Sequence, residues 1–180
     1  MANPLIDVQK YGQSIWYDNI RRGLITSGEL ASMVEKDGLL GVTSNPAIFT
    51  AAMTGSPDYD QPLKALVKQG VGKAEDIYEK MAIEDIQAAC DVLYATYVRT
   101  KRIDGYVSFE VSPYLANDTA GTIKDAKRLH GLIARENVLI KIPATEAGYA
   151  AIQQTISEGI SVNVTLLFSV EQYAKVARVA

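Results

Sequence analysis

The stretch V138-L-I-K-I-P-A-T-E-A-G148 sets a lysine inside an aliphatic run that otherwise reads as a buried strand. Side chains alternate across a strand, so Val138, Ile140 and Ile142 share one face while Leu139 and Lys141 share the other. Lysine is strongly hydrated and rarely buried without a partner. Taken alone, Lys141 belongs at the surface, paired with Glu136 or Glu146. If helices cover the aliphatic face, Lys141 instead points to the opposite side, which in a parallel barrel is the interior. The rest of the chain decides between these placements.

Four other runs rich in β-branched and aromatic residues share the strand signal: S14-I-W-Y-D-N-I20, L39-L-G-V-T-S-N45, Y106-V-S-F-E-V-S112 and I160-S-V-N-V-T-L-L-F168. Helical signals fill the gaps. Thr26 with Glu29 reads as a capping box before L30-A-S-M-V-E-K36, with Gly38 placed to end that helix. The span 73–100 is rich in helix formers and sets Ile77, Met81, Ile86, Cys90, Leu93 and Tyr97 on one apolar face. Asp104-Gly105 marks the entry to the next strand. The span 119–135 carries Ile123, Ala126, Leu129 and Ile133 at spacings of three or four, and Ser169 with Gln172 makes a second capping box. Strand and helix in alternation predict βα units and a parallel sheet, either open and doubly wound or part of a barrel. Neither G-x-G-x-x-G nor G-x-x-x-x-G-K-[ST] occurs, which removes support for the dinucleotide and P-loop versions of the open sheet.

With 180 residues, 48% hydrophobic and 22% charged, the composition suits one sizeable core, and residues 1–180 read as a single domain. A net charge of −3 offers no basic footprint, so nucleic acid is not expected as a partner. No apolar run approaches the ~20 residues of a membrane span, and the first residues lack a signal-peptide pattern. A cytoplasmic protein without membrane partners is the default expectation. The single Cys90 and single His130 are too few for an ordinary zinc site, and both read as structural residues of helices. Any catalysis therefore falls to Lys, Asp, Glu and hydroxyls. Five strand candidates are too few for a complete eight-fold barrel, which takes about 250 residues. The chain also stops at Ala180 in a helical pattern that lacks a stop signal. The expectation is a (βα) TIM-barrel type seen only as far as its fifth strand and the start of the following helix.

Each strand candidate carries polar groups toward its C-terminal end, where parallel barrels build their sites. Trp16 and Asp18 share parity, as do Thr43 and Asn45, Ser108 and Glu110, and Asn163 and Thr165. Each has an ordinary explanation. Asp18 with Asn19 suits a turn, Glu110 an edge strand, Asn45-Pro46 a helix start, and Thr165 any strand. A buried polar group left unsatisfied costs roughly 1–3 kcal/mol, however, and matching positions on five strands are poorly explained by accident. The set suits amine catalysis. A lysine in an apolar interior is biased toward its neutral form, and a free amine attacks a carbonyl to give a Schiff base. Two carboxylates, Asp18 and Glu110, could then move the protons.

These residues resemble the transaldolase family, and most closely its larger bacterial members. The resemblance is carried by G41-V-T-S-N-P46, F109-E-V-S112, V138-L-I-K-I-P-A-T-E-A-G148 and S161-V-N-V-T-L-L-F-S169, in that order and over nearly the whole chain. It implies a (βα)8 barrel that transfers a dihydroxyacetone unit between sugar phosphates in the non-oxidative pentose phosphate pathway. On that resemblance Lys141 is the Schiff-base nucleophile and Asp18 the base for the cleaved carbon–carbon bond. Glu110 with Thr165 transfers protons through a water, and Asn45 and Asn163 hold the dihydroxyacetone hydroxyls. Trp16-Tyr17 departs from the small residues many relatives carry before the Asp. No metal or organic cofactor is implied. The family grips its phosphates with a Ser and an Arg from later strands, so the 180-residue chain alone is expected to be weakly active or inactive. Open barrel edges are expected to favour self-association. Two alternatives stand beside this reading. One is a Schiff-base aldolase that releases free dihydroxyacetone, against which Glu110 weighs because small related aldolases usually lack it. The other is a non-catalytic barrel fragment that assembles with a partner.

Overall fold

The computed structural model describes residues 3–180. Secondary structure runs α1 (Pro4–Asp7), β1 (Trp16–Asp18), α2 (Arg22–Thr26), α3 (Glu29–Lys36), β2 (Gly41–Thr43), α4 (Pro46–Gly55), α5 (Asp60–Lys68) and α6 (Ala74–Arg99). It continues with β3 (Tyr106–Glu110), α7 (Thr119–Ile133), β4 (Val138–Pro143), α8 (Glu146–Ser157), β5 (Val162–Thr165) and α9 (Val170–Val179). The strands form a parallel five-stranded sheet in the order β1-β2-β3-β4-β5. A doubly wound sheet reverses its strand order at a switch point, whereas a barrel adds each strand beside the last. Of the two architectures open at the level of sequence, this order is that of the (βα) barrel type. Among the described residues no helix is long and apolar enough to cross a membrane.

The chain divides into two compact units, one reaching to Val107 and the other running from Ser108 to Ala180. In the first unit β1 pairs with β2 in parallel, Asp18 opposite Thr43. The face of α6 read from periodicity is buried along its length: Ile77, Met81, Ile86, Cys90, Leu93 and Tyr97 are each at most 9% exposed. Tyr59, from a 3-10 turn at Pro57–Tyr59, joins Ile77 and Met81 in this core. Gly105 admits the chain to β3. Its φ is +86°, a Cβ there would lie 2.2 Å from Tyr97 N, and its own N–H donates to Leu40 O at 2.7 Å.

One local expectation is corrected. Thr26 does not cap α3 but ends α2, its hydroxyl donating back to Arg22 O at 3.2 Å. The break falls at Gly28, φ +81°, and Ser27 Oγ accepts from Glu29 N at 3.3 Å. A left-handed residue between two short helices suits only glycine well, and it makes Gly28, two residues beyond Thr26, the N-cap of α3. Gly38 does close α3, at φ +68°, with Leu39 N reaching back to Met33 O at 3.3 Å.

In the second unit α7 and α8 pack beside β4. Val138, Ile140 and Ile142 are at most 1% exposed, as expected of the helix-covered face. Helix starts follow from their caps: Asp118 accepts from Gly121 N at 2.9 Å, Thr145 from Gly148 N at 2.9 Å, and Ser169 from Gln172 N at 3.1 Å. Gln172 Oε1 answers by accepting from Phe168 N at 2.9 Å, one residue before the usual partner of a capping box.

Candidate active site

Lys141 is buried, with 8% of the residue exposed, and lies on the sheet face opposite the aliphatic trio. Strand register sets its surroundings. Lys141 is the Cα partner of Asn163 and Pro143 of Thr165, and partners in a parallel ladder share a face. Val111 N donates to Lys141 O at 3.1 Å, which brings the end of β3 alongside. Lys141 Nζ stands 3.7 Å from Glu110 Oε2, the side chains 10% and 17% exposed. That is an ion-pair distance, longer than a hydrogen bond. Of the two surface carboxylates near Lys141 in sequence, Glu146 pairs with Lys175 at 2.6 Å.

Burial pushes the Glu110 carboxyl above the usual carboxylate range, and the opposing pull of the Lys141 charge is smaller. A carboxyl displaced in that direction holds its proton closer to neutrality, which suits acid–base exchange. Asn163 Nδ2 donates to Ser108 Oγ at 3.1 Å, and Ser108 is fully buried. The hydrogen bond orients the Asn163 amide beside Lys141. Thr165 is half-buried, and the next residue, Leu166, takes φ +63°. A non-glycine residue there costs roughly 1–2 kcal/mol.

The motif around Lys141 is explained by the turn that follows it. Thr145 caps α8, and a Cβ on Gly148 would lie 2.0 Å from Pro143 O. The first turn of α8 therefore runs directly over the end of β4, two residues beyond Lys141, at a separation that only glycine permits.

In the first unit Asp18 is the exposed C-terminal residue of β1, beside Thr43. Trp16 shares its face and lies over Gly41, where a Cβ would be 2.3 Å from the indole. The bulky Trp before Asp18 is thus accommodated by the absence of a side chain across the ladder. Asn45 is half-buried and caps α4, its Oδ1 accepting from Ile48 N at 2.9 Å while Pro46 takes the first helical position. The structure thus brings Lys141, Glu110, Asn163 and Thr165 together within the second unit, while Asp18 and Asn45 belong to the first.

Two features escaped the sequence reading. Ser108 was visible only through its parity with Glu110, and its bond to Asn163 spans two strands. A cluster of Arg22, Tyr59 and Asp85 in the first unit also went unread. Its signal was present, because Asp85 interrupts the apolar stripe of α6 between Met81 and Ala89.

The fold and this lysine-centred strand face define a (βα)-barrel-type protein with an amine poised beside a carboxyl. Residues 15–180 match the family described as Transaldolase/Fructose-6-phosphate aldolase. The chain belongs to that family. It is 50% identical over 176 residues to "Transaldolase 2" of Nostoc punctiforme, covering 98% of this chain and 46% of the relative. It is 49% identical to "Transaldolase" of Trichodesmium erythraeum, with coverage of 98% and 46%. To "Transaldolase" of Neisseria gonorrhoeae it is 51% identical, with coverage of 95% and 48%. The chain spans about half the length of the curated relatives it matches.

Proposed function

We propose that the chain carries the Schiff-base chemistry of a transaldolase, moving a dihydroxyacetone unit between sugar phosphates of the non-oxidative pentose phosphate pathway. The overall exchange is sedoheptulose 7-phosphate with glyceraldehyde 3-phosphate to erythrose 4-phosphate and fructose 6-phosphate. The observation that carries this reading is a buried Lys141 with Glu110 at 3.7 Å and Asn163 as its ladder partner. Family membership supports it.

The Lys141 amine adds to the C2 carbonyl of the ketose phosphate, and loss of water leaves an iminium ion. Glu110, with Thr165, passes the protons that addition and dehydration require through a water. Asp18 takes the proton from the C4 hydroxyl as the C3–C4 bond breaks. The bonding pair moves into the iminium to form an enamine, and the aldose phosphate leaves. An acceptor aldehyde reverses these steps, and hydrolysis restores Lys141. Asn45 and Asn163 hold the hydroxyls of the three-carbon unit. The roles of Asp18 and Asn45 rest on the family motifs. No organic cofactor or metal enters the scheme.

Borohydride reduction with fructose 6-phosphate, followed by mass spectrometry, tests the proposal. The expected result is an adduct of the dihydroxyacetone unit or intact ketose on Lys141, abolished in Lys141→Met. An unmodified Lys141 would sink the proposal and favour a non-catalytic barrel fragment. Product analysis with and without an aldose acceptor separates transfer from release of free dihydroxyacetone.

A further inference from the structure

The cluster of Arg22, Tyr59 and Asp85 takes no part in the steps above, yet its polar atoms are closely matched. Asp85 lies on the buried stripe of α6, its side chain 3% exposed. One carboxylate oxygen accepts from Arg22 Nε at 2.7 Å and the other from the Tyr59 hydroxyl at 2.7 Å. That hydroxyl accepts in turn from the backbone N–H of Arg22 at 2.9 Å. Arg22 Nη2 reaches Glu84 Oε2 at 2.9 Å and Met81 O at 3.2 Å, and the guanidinium lies 5.2 Å from the centre of the Tyr59 ring.

Burying such a pair is a poor route to stability, since well-packed apolar residues usually do as well or better. What the cluster does supply is location. Helix α2 has five residues, too few to persist alone, and Arg21 gives it no side-chain cap. Its first N–H, orphaned in any helix, is met by Tyr59. Both the start of α2 and the side chain of its first residue are therefore pinned, by the 3-10 turn and by α6. Only Asn19, Ile20 and Arg21 stand between that point and Asp18. Ile20 is fully buried and Arg21 pairs with Glu29 at 3.0 Å, so little slack remains in the connection. β1 itself is only three residues long, with Asp18 at its exposed end.

We propose that Arg22, Tyr59 and Asp85 are positioning residues that hold the turn after β1 and so aim the Asp18 carboxylate for its proton transfer. The inference rests on the role given to Asp18 under Proposed function. It predicts an effect on carbon–carbon bond cleavage and not on Schiff-base formation at Lys141. A misplacement of about 1 Å can cost on the order of 100-fold in rate, so a slowing of roughly 10-fold or more is expected when one link is cut.

The test uses Tyr59→Phe and Asp85→Asn in the full chain with fructose 6-phosphate. Three quantities are read: borohydride-trapped adduct on Lys141, single-turnover release of glyceraldehyde 3-phosphate, and hydrogen exchange over residues 14–24. The expected result is adduct yield within about twofold of the unsubstituted chain, aldehyde release slowed roughly 10-fold or more, and faster exchange confined to that segment. Unchanged exchange in a folded Tyr59→Phe chain overturns the proposal, and so does faster exchange with unslowed release. If the unsubstituted chain traps adduct but releases no aldehyde, the exchange measurement decides, and unchanged exchange over residues 14–24 in Tyr59→Phe overturns the proposal. Failure to trap any adduct refutes the Lys141 reading instead, and the exchange measurement then decides whether the cluster holds the β1 turn. If Asp85→Asn does not fold, Tyr59→Phe alone decides.

Discussion

Gly148→Ala isolates the contact that shapes the strand end beyond Lys141. A Cβ at this position would stand 2.0 Å from Pro143 O, an overlap of more than 1 Å against ordinary packing. The obstacle is a backbone carbonyl, so no rotamer change relieves it, and β4 and α8 must move apart. Overpacking of this kind costs roughly 1–3 kcal/mol, and the fixed obstacle argues for the upper end. Replacing glycine by alanine inside a helix returns at most about 1 kcal/mol through propensity. The clash wins, and a net loss of roughly 1–2 kcal/mol is expected. Gly131→Ala in α7 is the control, because a Cβ there meets nothing within 4 Å. That substitution should stabilise by about 0.5–1 kcal/mol. Urea unfolding of both variants at one pH, with unchanged m-values, measures the pair. Borohydride trapping adds a functional reading, and Gly148→Ala should lower adduct yield on Lys141 while Gly131→Ala leaves it alone. Equal stability of Gly148→Ala and the unsubstituted chain, or shifts of the same sign for both variants, would refute the reasoning.

Glu110→Gln removes the proton-transfer group while keeping its shape, and adduct formation on Lys141 should slow by about 10²-fold or more. A time course of trapping checks this, and an unchanged rate would remove Glu110 from the mechanism. Burial raises the carboxyls of both Glu110 and Asp85 above their usual range. In the window between the ordinary and the raised values the folded chain therefore binds more protons than the unfolded one. Their contribution to stability is full below the usual carboxylate range and is lost as pH rises through the raised values. Glu110→Gln and Asp85→Asn should each flatten that part of the profile. Urea midpoints from pH 4 to 7, taken as differences from the unsubstituted chain, would show it, and parallel profiles would contradict it.

Much of this architecture is local chemistry and could be read in advance. The long apolar face of α6, the aliphatic trio of β4 and the polar residues at strand ends all follow from side-chain period. Asn163 and Thr165 fall on one face for that reason alone, and strand register brings Lys141 beside them. The displaced cap of α3 shows where local reading stops. Thr26 and Glu29 have the spacing of a capping box, but a left-handed Gly28 intervenes, and only the backbone path reveals which serine or threonine faces the orphan N–H.

Residue type and period thus determined the strands, their faces and a lysine that needed a partner. They could not determine the 3.7 Å approach of Glu110, the orientation of Asn163 by Ser108, or the joining of Arg22, Tyr59 and Asp85. Those pairings link residues 26 to 63 positions apart, the nearest being Tyr59 with Asp85 and the farthest Arg22 with Asp85. Period places a side chain on a face, but distance between faces is set only when strands stack in register and helices close over them. The glycines make the same point. Gly148 reads in the sequence as one motif letter, and its reason is a carbonyl five residues earlier that folding brings to within 2.0 Å of where its side chain would be.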